Sequence, residues 1–132
     1  PWQHVMALVH GYLVLAARLL GGDRVAADNW NFGPRDDAAR TVRDLVEQLS
    51  AAWTRPEISY ARGSFPETRF LHLDSTKARA LLGWAPPLSF EETVELTAAW
   101  YRDLAANPAD AAQITVRQIE QYRNALRDHD SR

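Results

Sequence analysis

Asp74-Ser-Thr-Lys-Ala-Arg-Ala-Leu-Leu-Gly83-Trp-Ala-Pro-Pro-Leu-Ser89-Phe-Glu-Glu-Thr-Val-Glu-Leu-Thr-Ala-Ala-Trp100-Tyr-Arg-Asp-Leu104 reads as two helices divided by a hard stop. Asp74 or Ser75 caps a brief helix carrying Ala78, Leu81 and Leu82. Gly83 is placed as its left-handed terminator, Trp84 as the hydrophobic follow-on, and Pro86-Pro87 as the block to further helix. Ser89 and Glu92 then form a capping box for the next helix, with Phe90, Val94, Thr97, Trp100, Tyr101 and Leu104 on its buried side.

Working outward, Asn107-Pro108 ends that helix. A last one is expected over about Thr115 to Leu126, with Val116, Ile119, Tyr122 and Leu126 inward and a polar tail from about 127 to 132. Upstream, Thr41 caps a helix with Asp44 in the capping-box position, and Val42, Leu45, Val46, Leu49 and Trp53 share one face. From Gln3 to Leu20, the positions Val5, Leu8, Val9, Tyr12, Ala16, Leu19 and Leu20 follow helical spacing up to the stop at Gly21-Gly22. Trp30–Phe32, Glu57–Ala61 and Phe70–Leu73 are short apolar runs expected as strands. The tryptophans Trp53, Trp84 and Trp100 read as core. The fold class is therefore α+β, mainly helical with a few short strands, in one unit over 1–132.

Composition narrows the function. The chain has 132 residues, 46% hydrophobic and 24% charged, with a net charge of -2. That supplies no footprint for nucleic acid or an anionic membrane. It has no cysteine, hence no disulfide framework and no thiolate zinc site. No apolar run approaches the roughly 20 residues that span a bilayer, and the N-terminus lacks a secretory layout, so the cytoplasm is the expected compartment. Fourteen arginines stand against the single Lys77, a bias expected of a GC-rich bacterial genome. His4 and His10, six apart, fall on different sides of one helix and do not form a metal pair. No glycine-rich phosphate loop, nucleophile elbow or Tyr-x-x-x-Lys pair is present.

A string of particular words carries more than the periodicity does. These are Pro1-Trp2-Gln3-His4-Val5, Gly11-Tyr12-Leu13, Trp30-Asn31-Phe32-Gly33-Pro34, Lys77-Ala78, Leu82-Gly83-Trp84, Trp100-Tyr101 and Gln118-Ile119 with Tyr122. In this order the chain resembles the C-terminal third of CDP-glucose 4,6-dehydratases, which are extended short-chain dehydrogenases/reductases. Leu-Gly-Trp is shared across nucleotide-sugar epimerases and dehydratases, whereas Pro-Trp-Gln-His-Val is particular to the CDP-glucose branch.

The resemblance implies a C-terminal substrate-binding lobe, with an N-terminal Rossmann domain absent from this chain. That domain would hold NAD and the Tyr-x-x-x-Lys pair, so the chain is expected to bind no cofactor and to lack catalytic residues. The start at Pro1, without Met, is read the same way, and a phosphate-gripping arginine is expected just before it. The implied reaction converts CDP-glucose to CDP-4-dehydro-6-deoxyglucose and water, toward dideoxysugars and O-antigen-type lipopolysaccharide, in a parent that is a homodimer or larger. Substrate contacts are expected from Trp2, Gln3 and His4 at a helix N-terminus, and from Asn31 at a strand end. Glu67 and Arg69 complete the expected set. Glu67 keeps the glutamate of the family's His-Glu-Ala triplet, while Pro66 and Thr68 replace its neighbours. Met6-Ala7-Leu8-Val9 stands where the family more often has an acidic residue and a proline, a change expected to alter helix packing. The alternatives are the lobe of a UDP- or dTDP-sugar enzyme and a non-catalytic helical interaction module.

Overall fold

The computed structural model describes residues 2–35, 40–59 and 72–130. Four α-helices are formed among them: α1 (Val5–Leu20), α2 (Val42–Ala52), α3 (Phe90–Ala106) and α4 (Ala111–Asp130). Their ends follow from local chemistry. The Glu92 N–H donates to Ser89 Oγ (3.1 Å) and the Ser89 N–H donates back to Glu92 Oε2 (2.7 Å). Thr41 and Asp44 repeat the exchange at the start of α2. Each box satisfies two amide groups that the helix itself leaves orphaned. The Leu-Gly-Trp element forms a π-helical turn, Ala78–Leu82, stopped by Gly83 at φ 66°. The Thr76 N–H donates to Asp74 Oδ1 (2.8 Å), so the expected capping residue there is Asp74.

Helices α2 and α4 both pack on α3. Trp84, fully buried, joins α1 to the rest: its Nε1 donates to Ala7 O (3.1 Å) and its ring meets Phe32 edge-on at 4.9 Å. Ala7, Ala26, Ala78, Leu82, Leu88 and Tyr122 complete the core around them.

Four expectations need correction. The face of α1 that packs is only partly the expected one: Leu8 packs against the core, with Met6, Val14 and Leu15 beside it, but most of the expected large residues do not. Ala7 and Gly11 are buried, while Val5, Val9, Tyr12, Leu13, Leu19 and Leu20 are exposed. A Cβ on Gly11 would stand 2.6 Å from Phe32 Cδ1, so only a small-residue face lets the helix approach this closely. Ala7, inside the divergent Met6–Val9 stretch, is where Trp84 makes its hydrogen bond. Helix α4 starts earlier than expected and is rotated: Ile114, Gln118 and Tyr122 are buried, whereas Val116 and Ile119 are exposed. Trp53 also lies at the surface, its ring parallel to that of Tyr101.

The fourth correction is to the class: no strand forms among the described residues, which are helix and loop. Trp30–Phe32 has no partner strand, and a strand needs a ladder for its backbone groups. Here side chains take that role instead. The Gly33 N–H donates to Ser75 Oγ (2.7 Å), and Phe32 O accepts from Gln3 Nε2 (3.0 Å). Residues 57–59 and 72–73 are likewise loop, and the remainder of those two expected strands lies outside the described residues. Among the described residues no helix is long and apolar enough to cross a membrane.

Candidate functional site

Trp2, Gln3 and His4 lead into α1 and are held by three different bonds. Trp2 Nε1 donates to Arg40 O (3.1 Å), which ties the entry to the start of α2. Gln3 Nε2 donates to Phe32 O, binding the entry to the 30–35 loop. His4 is the N-cap, its Nδ1 accepting the Met6 N–H at 3.2 Å. The imidazole is 6% exposed, and burial pushes its pKa below the ordinary 6.5, so it stays neutral and able to accept. Tyr122 lies across it from α4, ring centroids 6.4 Å apart and planes at 23°. Burial raises the pKa of the Tyr122 phenol, so it too stays neutral.

The loop facing this entry is braced by the sole lysine. Lys77 Nζ reaches Asp28 Oδ2 (2.6 Å) and Asn29 O (3.1 Å), and lies 4.4 Å from the centre of the Trp30 ring. The hydrogen bond from Lys77 holds the Asp28 carboxyl below the usual carboxylate range. Trp30 Nε1 donates to Ala26 O (2.9 Å). At Gly33 a Cβ would fall 2.7 Å from Leu73 O, so backbone meets backbone where no side chain fits. The loop is therefore fixed on both sides of Asn31, whose own side chain is exposed.

Of the six expected site residues, the fold gathers four. Trp2, Gln3 and His4 are contiguous, and the Gln3–Phe32 bond brings the residue next to Asn31 against them. Glu67 and Arg69 lie outside the described residues. Trp2, Gln3 and His4 meet Pro34, Arg35 and Pro86 around a cleft of only about 10 Å³, so they close on the protein itself there. Asn31 is the member left facing outward. The structure adds Lys77 and Tyr122 as supports. Both stood inside quoted motifs, Lys77 as the lone lysine and Tyr122 beside Gln118-Ile119, but neither was marked as a site residue.

Among the described residues no strand forms, so the strand–turn–helix cradle that receives a dinucleotide pyrophosphate is not built from them.

No family model matches the chain. It is 34% identical, over 127 residues and 95% of its length, to a curated CDP-glucose 4,6-dehydratase of Salmonella typhimurium (strain LT2). The match takes in 35% of that relative, its C-terminal part, so the chain spans about a third of the relative's length.

Proposed function

We propose that this chain is the C-terminal, substrate-side lobe of a CDP-glucose 4,6-dehydratase and has no dehydratase activity alone. The observation that carries the reading is the 34% identity running through 95% of the chain. The geometry supports it, because the words that carry the resemblance become one connected entry: Trp2-Gln3-His4, the Trp30–Pro34 loop and Lys77. In this reading Asn31 faces the substrate, with Gln3 and His4 setting the loop and helix on either side. Trp2, Glu67 and Arg69 complete the substrate set, Arg69 toward the diphosphate.

NAD, when bound, supplies reversible hydride transfer; in this reading it belongs to an N-terminal Rossmann domain outside these residues, together with the catalytic tyrosine and lysine. The whole enzyme would be a cytoplasmic homodimer or larger assembly making CDP-4-dehydro-6-deoxyglucose for dideoxysugars.

The test is mass spectrometry of CDP-glucose, UDP-glucose and dTDP-glucose incubated with NAD and either the 132-residue chain or the protein encoded by its complete gene. Loss of one water from CDP-glucose alone, with the complete protein only, is the expected result. Dehydration of another nucleotide sugar in preference would overturn the CDP branch, and product from the chain alone would overturn its inactivity. No product from any sugar with the complete protein would overturn the dehydratase reading.

A further inference from the structure

Helix α1 has a second face, opposite the Ala7–Gly11 side that packs. Val5, Val9, Tyr12, Leu13, Leu19 and Leu20 are 45–90% exposed there. At 3.6 residues per turn they span about 120° of the circumference, the width of stripe that a helix buries in a core. No charged residue interrupts it. Arg18, the sole charged residue of α1, is turned aside, its guanidinium on Asp23 Oδ2 (3.1 Å) and Leu82 O (3.3 Å). Helix α4 shows the ordinary pattern by contrast: its exposed Val116 and Ile119 stand singly beside exposed Arg117 and Glu120.

An uncharged stripe of this width marks a contact surface. A bilayer core does not fit it, since no described helix is long and apolar enough to cross a membrane. A membrane surface fits poorly as well. Interfacial helices flank their apolar face with Lys and Arg, and α1 has only the engaged Arg18. A second copy that pairs one helix with α1 covers the narrower seam of a coiled pair. The remaining occupant is the rest of the protein. The match takes in the C-terminal 35% of the relative, so most of that relative's chain precedes it. In that arrangement the preceding chain leads straight into the first turn of α1.

We propose, resting on the reading of this chain as a C-terminal lobe, that the exposed face of α1 is the docking surface for the preceding, N-terminal part of the complete protein. That part lays an apolar, uncharged surface over Val5, Val9, Leu13 and Leu20. Helix α1 is then buried on both sides and forms the joint between the two parts.

The test uses the protein encoded by the complete gene, probed by hydroxyl-radical footprinting with mass spectrometry. Val5, Leu13 and Leu20 are expected to oxidise about tenfold more slowly in the folded protein than in urea, whatever the protein concentration. Leu13→Asp is expected to lower the urea midpoint by about 1 M or more, because it puts a carboxylate into the joint. Val116→Asp, at a comparably exposed site on α4, is the reference. Oxidation of the three residues at the unfolded rate, or a Leu13→Asp loss no larger than that of Val116→Asp, would overturn the proposal. Protection that appears only as the protein dimerises would assign the face to a second copy, and protection only with lipid vesicles would assign it to a membrane; either overturns the proposal. The dehydration assay separates the two claims. An active complete protein with α1 unprotected overturns the docking surface alone. A protected α1 in a protein that dehydrates no sugar overturns the dehydratase reading alone, and a complete gene with no chain before α1 overturns both.

Discussion

Gly11 of α1 lies so close to Phe32 that a Cβ there would sit 2.6–2.9 Å from three ring atoms. The ring is also packed against Trp84, the two centroids 4.9 Å apart and the planes at 76°, which limits its retreat. Gly11→Ala therefore destabilises the fold by about 1–3 kcal/mol despite alanine's better helix propensity. Urea unfolding measures the loss, and Phe32→Leu in the same background is expected to recover part of it. A neutral or stabilising Gly11→Ala would show that α1 does not pack through this face.

Tyr122 is expected to tolerate loss of its hydroxyl. Its Oη is buried and without a hydrogen-bond partner among the described residues, while its ring packs on His4 and His10. Tyr122→Phe keeps the ring and removes an unsatisfied polar atom, so stability is unchanged or rises by up to about 1–2 kcal/mol. A fall in melting temperature would instead reveal a partner for the hydroxyl.

His4 makes stability depend on pH. Its pKa is depressed by burial in the folded chain, so the unfolded chain binds the extra proton more readily below pH 6.5. The sign follows: His4's contribution is fully present above pH 6.5 and is lost as pH falls from there through the folded pKa. Protonation also replaces the acceptor for the Met6 N–H with a donor and sets a cation at the helix N-terminus. The urea midpoint should drop between pH 7.5 and 5.5 in the wild type. His4→Asn, which retains an acceptor for the cap, is expected to flatten that difference, and an unchanged slope would acquit His4.

Ser89 sets the start of α3, the helix on which α2 and α4 both pack. Ser89→Ala removes one arm of the capping box and costs about 1 kcal/mol. Adding Glu92→Ala should cost less than the sum of the two single changes, because each arm positions the other. Chemical denaturation of the four variants is the check, and strict additivity would mean the two bonds act independently.

The connected entry Trp2–His4 with its loop was legible in part. The motifs named its members, but the pairing of Gln3 with Phe32 O lies 29 residues apart and has no local signature. The same holds for Gln118, which reads as one polar residue on a helix until its amide meets Leu96 O on α3.

Helix ends, by contrast, could be read residue by residue. Ser89/Glu92, Thr41/Asp44, Gly83 and Gly21-Gly22 act through bonds and torsions within a few positions, so sequence contains their whole cause. Which side of a helix is buried is another matter. α1 carries two apolar faces, an exposed one at Val5, Val9, Tyr12 and Leu20 and a packing one centred on Ala7 and Gly11 and flanked by Leu8 and Leu15. Counting large apolar residues does not separate the two. Close approach of Phe32 and Trp84, 21 and 73 positions beyond Gly11, selects the second. The absence of strands has a similar origin, since a backbone ladder requires a distant partner, and here Ser75 and Gln3 satisfy the loop in its place.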